Sequence, residues 1–231
     1  MNFATRYQGK ELLDNDDIPF DDIAQNMKEL NTINSMLGGH AITVGGYKAL
    51  AKGKNNLSIC EIGCGGGDNL AAIHAFAERK KITVKITGID LKPECILFAQ
   101  QRKGLPASAT FIASDYRKVS FHEKPDIIFS SLFCHHFTTA ELIEQFKWMK
   151  ENATVGFFVN DLQRHPVAYY SIKFITQLFS SSYLVKHDAP VSVRRGFSKQ
   201  ELVEVCRQAD ANPVQLDWRW AFRFLLVYKH G

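Results

Sequence analysis

The stretch Ser58-Ile59-Cys60-Glu61-Ile62-Gly63-Cys64-Gly65-Gly66-Gly67-Asp68 constrains this chain more than any other. An apolar run with β-branched residues meets an acid, then a glycine cluster, then a helical pattern from Asn69 to Lys80. That order predicts a strand, a tight turn and a helix N-terminus, a ready place to hold a ligand. A dinucleotide fingerprint needs a third glycine where Asp68 stands, and its glycines bring a pyrophosphate onto the helix amides. The spacing here is Gly63-x-Gly65-x-Gly67, with Glu61 just before the turn. A carboxylate at that point suits an ammonium group and repels a pyrophosphate. The turn therefore favours a zwitterionic or cationic ligand.

The rest of the chain alternates in the same way. Residues 82–90 form an alternating strand ending in Asp90, and a helix follows from Lys92 to Arg102. Thr110 to Ala113 is a short strand leading into Ser114-Asp115-Tyr116. Pro125 to Ser131 and Thr154 to Val159 are buried-type strands. Thr138-Thr139-Ala140-Glu141 between them is a capping box that opens a helix to about Lys150. A long aromatic helix is expected over Val167 to Tyr183, and Ser198-Lys199-Gln200-Glu201 is a second capping box for a helix to Asp210. Val214 to Trp220 and Phe222 to Tyr228 lie too close together for a crossover helix, so they form an antiparallel hairpin at the sheet edge. Ahead of the glycine turn, Ile23, Met27, Leu30, Ile33 and Leu37 share one helix face, capped by Asp21 or Asp22 and stopped at Gly38-Gly39. A looser helix runs from His40 to Ala51. Asp14-Asn15-Asp16-Asp17 reads as a solvated turn, and the first dozen residues carry little pattern. The predicted architecture is α/β: a Rossmann-like, seven-stranded, mostly parallel sheet with helices on both faces, a C-terminal antiparallel hairpin and N-terminal helices. Residues 1–53 are read as a helical cap and 54–231 as the ligand-binding domain.

The glycine turn, the preceding acid, the acids at successive strand ends and the terminal hairpin together resemble the class I S-adenosylmethionine (AdoMet) methyltransferases, over roughly Leu57 to Lys229. The resemblance implies AdoMet as cofactor. It places Glu61, Gly63, Cys64, Gly65 and Gly67 at the methionine end and Asp90 with Leu91 at the ribose. Asp115 falls at the adenine amino group, Tyr116 against the ring and Ser131 at the end of the fourth strand. A single aspartate at a strand end is more often a turn or helix cap; three acids placed after one glycine turn argue against coincidence. Asp68 is read as a helix cap. A nicotinamide-type dinucleotide domain is the main rival, disfavoured by the missing third glycine and by the hairpin.

Methyl transfer asks the protein for proximity, orientation and a dry pocket. An oxygen nucleophile also benefits from a base. His135 and His136, just past the fourth strand, are the candidates, against the plainer reading that both are scaffold. Polar runs at 160–166 and 187–197 flank the aromatic helix, and the segment 163–197 is read as a substrate cap with Arg164, His165, Tyr169 and Arg195 as contacts. These segments resemble a subgroup of small-molecule methyltransferases acting on phenolic and polyketide-type acceptors, which implies O-methylation. Metal-dependent catechol methylation needs carboxylates after the fourth and fifth strands. Ser130-Ser131 ends the fourth, leaving only Asp161, so no metal is expected. A non-catalytic binding module of the same fold, or an N- or C-methyltransferase, are the alternatives.

Net charge of +4 over 231 residues, with no dense basic block, gives no sign of a nucleic-acid partner. Five cysteines with no CxxC read as reduced thiols, and no signal peptide or membrane span is visible, so a cytoplasmic protein with a small-molecule acceptor is expected. Oligomeric state is not legible.

Overall fold

The computed structural model describes residues 1–15 and 17–231; Asp16, within the predicted acidic turn, lies outside them. Seven strands form one sheet in the order β3-β2-β1-β4-β5-β7-β6. The strands are β1 (Asn56–Ile62), β2 (Thr83–Asp90), β3 (Thr110–Ala113), β4 (Ile127–Ser131), β5 (Gly156–Leu162), β6 (Gln215–Arg219) and β7 (Arg223–Lys229). The first five pair in parallel, while β7 runs antiparallel between β5 and β6.

Both faces of the sheet are covered, which is why its central strands read as near-continuous apolar runs. Period-2 alternation still sorts the side chains. Phe157 and Val159 of β5 pack with Leu142, Phe146 and Met149 of α5 (Thr139–Asn152) and Leu202 and Val205 of α8 (Lys199–Gln208). Phe158 points the other way, into a core with Tyr47 and Leu50 of α2 (Gly39–Ala51) and Leu70 and Ile73 of α3 (Asp68–Arg79). Gly46 permits this approach: a Cβ there would stand 2.5 Å from the Phe158 ring. The second N-terminal helix is thus a layer of the sheet's own core. The first, α1 (Phe20–Met36), packs Ile23 and Met27 against Cys95 of α4 (Pro93–Gln100).

Both predicted capping boxes are present, with each serine or threonine hydroxyl and each glutamate bonded reciprocally. Three local expectations need correcting. Asp21 and Asp22 lie in the first turn of α1 without capping it, because the helix already starts at Phe20 behind Pro19. Asp68 is the first residue of α3 rather than its cap. The chain enters through Gly67 at φ +69°, and Asp68 turns its carboxylate toward His40 Nε2 at 3.5 Å. The long aromatic helix, expected to run to Tyr183, stops at Phe179 (α6, Pro166–Phe179), and a further helix, α7 (Tyr183–Arg195), runs through most of the polar segment 187–197. Ser180-Ser181-Ser182 makes the break. Their amides and a hydroxyl bond to Glu29 of α1, and Ser182 caps α7. Pro190 inside α7 disguises that helix in the sequence, since proline removes an interior hydrogen bond.

Candidate active site

One cavity of about 1090 Å³ lies over the carboxyl ends of β1, β2, β4 and β5, where ligands bind in open α/β sheets. Helices α1, α6 and α7 wall its far side.

At the β1 end, Glu61 is 1% exposed. Its Oε1 accepts from Asn69 Nδ2 at 3.1 Å, while Oε2 has no partner among the described residues. Burial, with Asp68 and Asp90 nearby, pushes this carboxyl well above the usual range. A buried acid with one oxygen left unbonded is costly to the free fold and suits a cationic ligand group. Gly63 at φ +66° lets the turn pass under Phe133, whose ring a Cβ would meet at 2.2 Å. Asp90 accepts from the Gly65 amide at 2.8 Å and the Lys92 amide at 3.0 Å, tying the end of β2 to the glycine turn. Burial raises its carboxyl as well, against those two bonds. Four lone-pair sites on a carboxylate leave room for a ligand's hydroxyls. Leu91 and Ser131 also line the cavity. Cys64 lines it too, but its thiol is buried.

Several expected positions are differently employed. Gly67 does not line the cavity and is the N-cap of α3. Asp115 lines the cavity, yet both its oxygens receive the Arg117 guanidinium at 2.6–3.0 Å, which holds the carboxyl below its ordinary value. Tyr116 is packed edge-on among Phe133, Phe137 and Trp148. Arg164, His165 and Tyr169, expected as substrate contacts, do not line the cavity. The buried Arg164 guanidinium bonds the Phe3, Ala4 and Gly196 carbonyls and pairs with Glu201 at 2.9 Å. His165 caps α6 and stacks on Phe222, and Tyr169 packs on Phe3. Arg195 does reach the cavity, where it clamps the carbonyls of His135, His136 and Gly9.

His135 and His136 lie in a one-turn helix after β4, 134–136, held from behind by Arg195 and by Arg6. The His135 Nδ1 bonds Asp161 of β5 at 2.7 Å, and its Nε2 faces Glu11 at 3.4 Å. Burial opposes a charge on this ring, but Asp161 and Glu11 outweigh it and raise its pKa to about 9. His136 presents Nε2 to the other Glu11 oxygen at 3.7 Å and Nδ1 to Asp14 at 3.3 Å. Burial of Asp14 is more than offset by the His136 ring, and its carboxyl falls to about 2.

Sequence reasoning missed Glu11 and Asp14. They lie in the unpatterned opening run and in the turn taken as solvated, with no periodicity or motif to mark them. Arg223 was missed as well. It opens β7, is 3% exposed and lines the cavity. Its Nη2 donates to Asn34 Oδ1 at 2.8 Å, while Nη1 has no partner among the described residues. Burial lowers its pKa to about 10, and no carboxylate among the described residues pairs with it.

Residues 59–156 match the family model described as "Methyltransferase domain". No curated protein sequence matches the chain. Among solved structures, human N-acetylserotonin methyltransferase in complex with SAM is similar at 17% identity and TM-score 0.66, over 92% of this chain and 57% of that one. A SAM-dependent methyltransferase from Aquifex aeolicus is similar at 14% identity and TM-score 0.62, over 89% and 97%. The plantazolicin methyltransferase BpumL, bound to a monoazolic desmethyl analogue and SAH, gives 18% and 0.58, over 91% and 90%. This chain therefore spans little more than half the length of the human protein and most of the other two.

Proposed function

We infer that this chain, an AdoMet-dependent methyltransferase of the class I fold, methylates a hydroxyl group on a small, largely apolar acceptor such as a phenol, quinol or polyketide. The cavity carries the reading. At about 1090 Å³ it exceeds the roughly 300–1,000 Å³ usual for one small ligand, and its two ends differ in chemistry. The β1–β2 end offers Glu61, Asp90 and the glycine turn; the other end offers Leu30, Ile33, Ile172, Ile175 and Phe222. AdoMet supplies an electrophilic methyl group on a sulfonium. The unpartnered Glu61 oxygen suits its ammonium, Gly63 and Gly65 let the backbone come close, and Asp90 has lone pairs left for ribose hydroxyls. The His135–His136–Glu11 cluster also lines this cavity, where a hydroxyl proton must leave as the new carbon–oxygen bond forms. Arg223 offers an N–H to an oxygen on the acceptor. Solved structures named for N-acetylserotonin and plantazolicin share the fold, which supports a small acceptor.

Transfer of a labelled methyl group from AdoMet to a panel of phenols, quinols and carboxylic acids tests this. O-methylation of at least one class is expected, with turnover lowered in His136→Ala while the AdoMet dissociation constant stays unchanged. Label found only on nitrogen or carbon, or full turnover in that variant, would overturn it.

A further inference from the structure

The histidine doublet is doubly framed in a way that proton transfer does not require. Each ring turns Nε2 toward one oxygen of the same Glu11 carboxylate, and each is held at Nδ1 by a different carboxylate, Asp161 for His135 and Asp14 for His136. The three inner donors lie within 4.8 Å of one another.

The distances separate two kinds of contact on one ring. His135 Nδ1 to Asp161, at 2.7 Å, is a charge-assisted hydrogen bond. His135 Nε2 stands 3.4 Å from Glu11 without forming one, and that nitrogen is buried with no hydrogen-bond partner among the described residues. Two donors about 2.1 Å from a tetrahedral cation stand roughly 3.4 Å apart. The observed 3.4 and 3.7 Å, from the two rings to the two oxygens of Glu11, lie near that separation. Glu11 is kept in place from outside, since its Oε1 also accepts from Ser192 Oγ at 2.7 Å. The outer carboxylates are what metal-binding histidines ordinarily have at the ring nitrogen opposite the ion.

We propose that Glu11, His135 and His136 form a binding site for a first-row transition dication such as Zn²⁺, oriented by Asp14 and Asp161 and open to the large cavity. Two imidazoles and one carboxylate favour such an ion over Mg²⁺ or Ca²⁺, which take oxygen donors. Three protein ligands leave a coordination position for an oxygen of a ligand in the cavity. That last use rests on reading the cavity as the acceptor pocket; the site itself does not.

The full chain, stripped with a chelator and free of AdoMet and acceptor, is titrated with Co²⁺ followed by its visible ligand-field bands, and with Zn²⁺ by calorimetry. One equivalent should bind saturably, with bands of a low-symmetry four- or five-coordinate ion. Glu11→Gln and His136→Ala should weaken binding about 100-fold or more, and Asp14→Asn about 10- to 100-fold. Zn²⁺ should raise the melting temperature of the parent chain and not of Glu11→Gln. His135→Ala strands the buried Asp161 and can fail to fold, so the test relies on the other variants, shown folded by circular dichroism. No saturable uptake below millimolar metal, or equal uptake by Glu11→Gln and His136→Ala, overturns the proposal. Metal binding without O-methylation would defeat the proposed function and leave this site standing; O-methylation without metal binding would do the reverse.

Discussion

Glu61 is a carboxylate that the free fold would be more stable without. It is buried, raised in pKa and bonded through only one oxygen. A group whose folded pKa lies above its unfolded value binds more protons when folded. Stability should therefore fall as pH rises from the ordinary glutamate range through the raised value. A cationic ligand group reverses that preference, so AdoMet affinity should fall as pH drops through the same raised value. Glu61→Gln keeps the bond to Asn69 and removes the charge. It should weaken AdoMet binding by about 1.5–3 kcal/mol, roughly 10- to 150-fold, with the pH slope flattened and the melting temperature unchanged or higher. Calorimetric titration of both proteins from pH 5 to 8 reads the effect, and an unaltered dissociation constant would remove Glu61 from the site. Glu61 and Asp90 were legible in the sequence because position and chemistry are both local: each ends a strand, and the first precedes a glycine turn. Glu11 was not legible, because its partners lie more than a hundred residues along the chain and only the fold brings them to it. Arg223 sits inside an alternating strand pattern, where it reads as one more edge residue.

The link after β5, the end of α7 and the start of α8 are fastened by one buried cation. Arg164 follows β5, and its guanidinium joins the carbonyls of Phe3, Ala4 and Gly196 to Glu201 in the first turn of α8. Burial of Glu201 is outweighed by Arg164 and the Ser198 amide, which hold its carboxyl below the usual range. The sign follows: the stabilisation is present above the unfolded glutamate pKa and is lost as pH falls through the lower folded value. Glu201 is about one-third exposed, so Glu201→Gln should cost only about 1 kcal/mol at neutral pH. Arg164→Met should cost more, since it also unbonds three carbonyls. Denaturant melts over a descending pH series would show the Glu201→Gln deficit shrinking in acid; a deficit that does not change with pH would contradict the assignment. The same segment shows where element-level reading fails. Capping boxes at Thr138 and Ser198 are short-range and were legible. The α6–α7 break depends on Glu29 from a distant helix, and Pro190 gave a breaker signal inside a helix that tertiary packing keeps intact.

Across the whole molecule, the sheet and its two cores are complete without the first fifteen residues, which contribute no buried side chain to either cluster. Those residues instead cross the open end of the sheet. Tyr7 N bonds the Arg194 carbonyl, Arg6 holds the His135 and Phe137 carbonyls, and the Leu12 and Leu13 amides bond the Asp188 carboxylate. The scaffold was readable from strand–helix alternation, and the segment that crosses its open end was not. Removing residues 1–15 should leave a folded protein that binds AdoMet within a few-fold of the parent, because Glu61, Gly63, Gly65 and Asp90 keep their bonds. It should nevertheless transfer methyl groups about 100-fold more slowly, since Glu11 and Asp14 leave the histidine doublet and Arg195 loses the Gly9 carbonyl. Its melting temperature should drop by several degrees, as Arg164 gives up two of its buried partners. Circular dichroism, AdoMet calorimetry and labelled-methyl turnover on the same preparation separate the outcomes. Undiminished turnover would mean the opening segment merely covers the cavity; loss of AdoMet binding along with turnover would mean the two ends of the cavity are not independent.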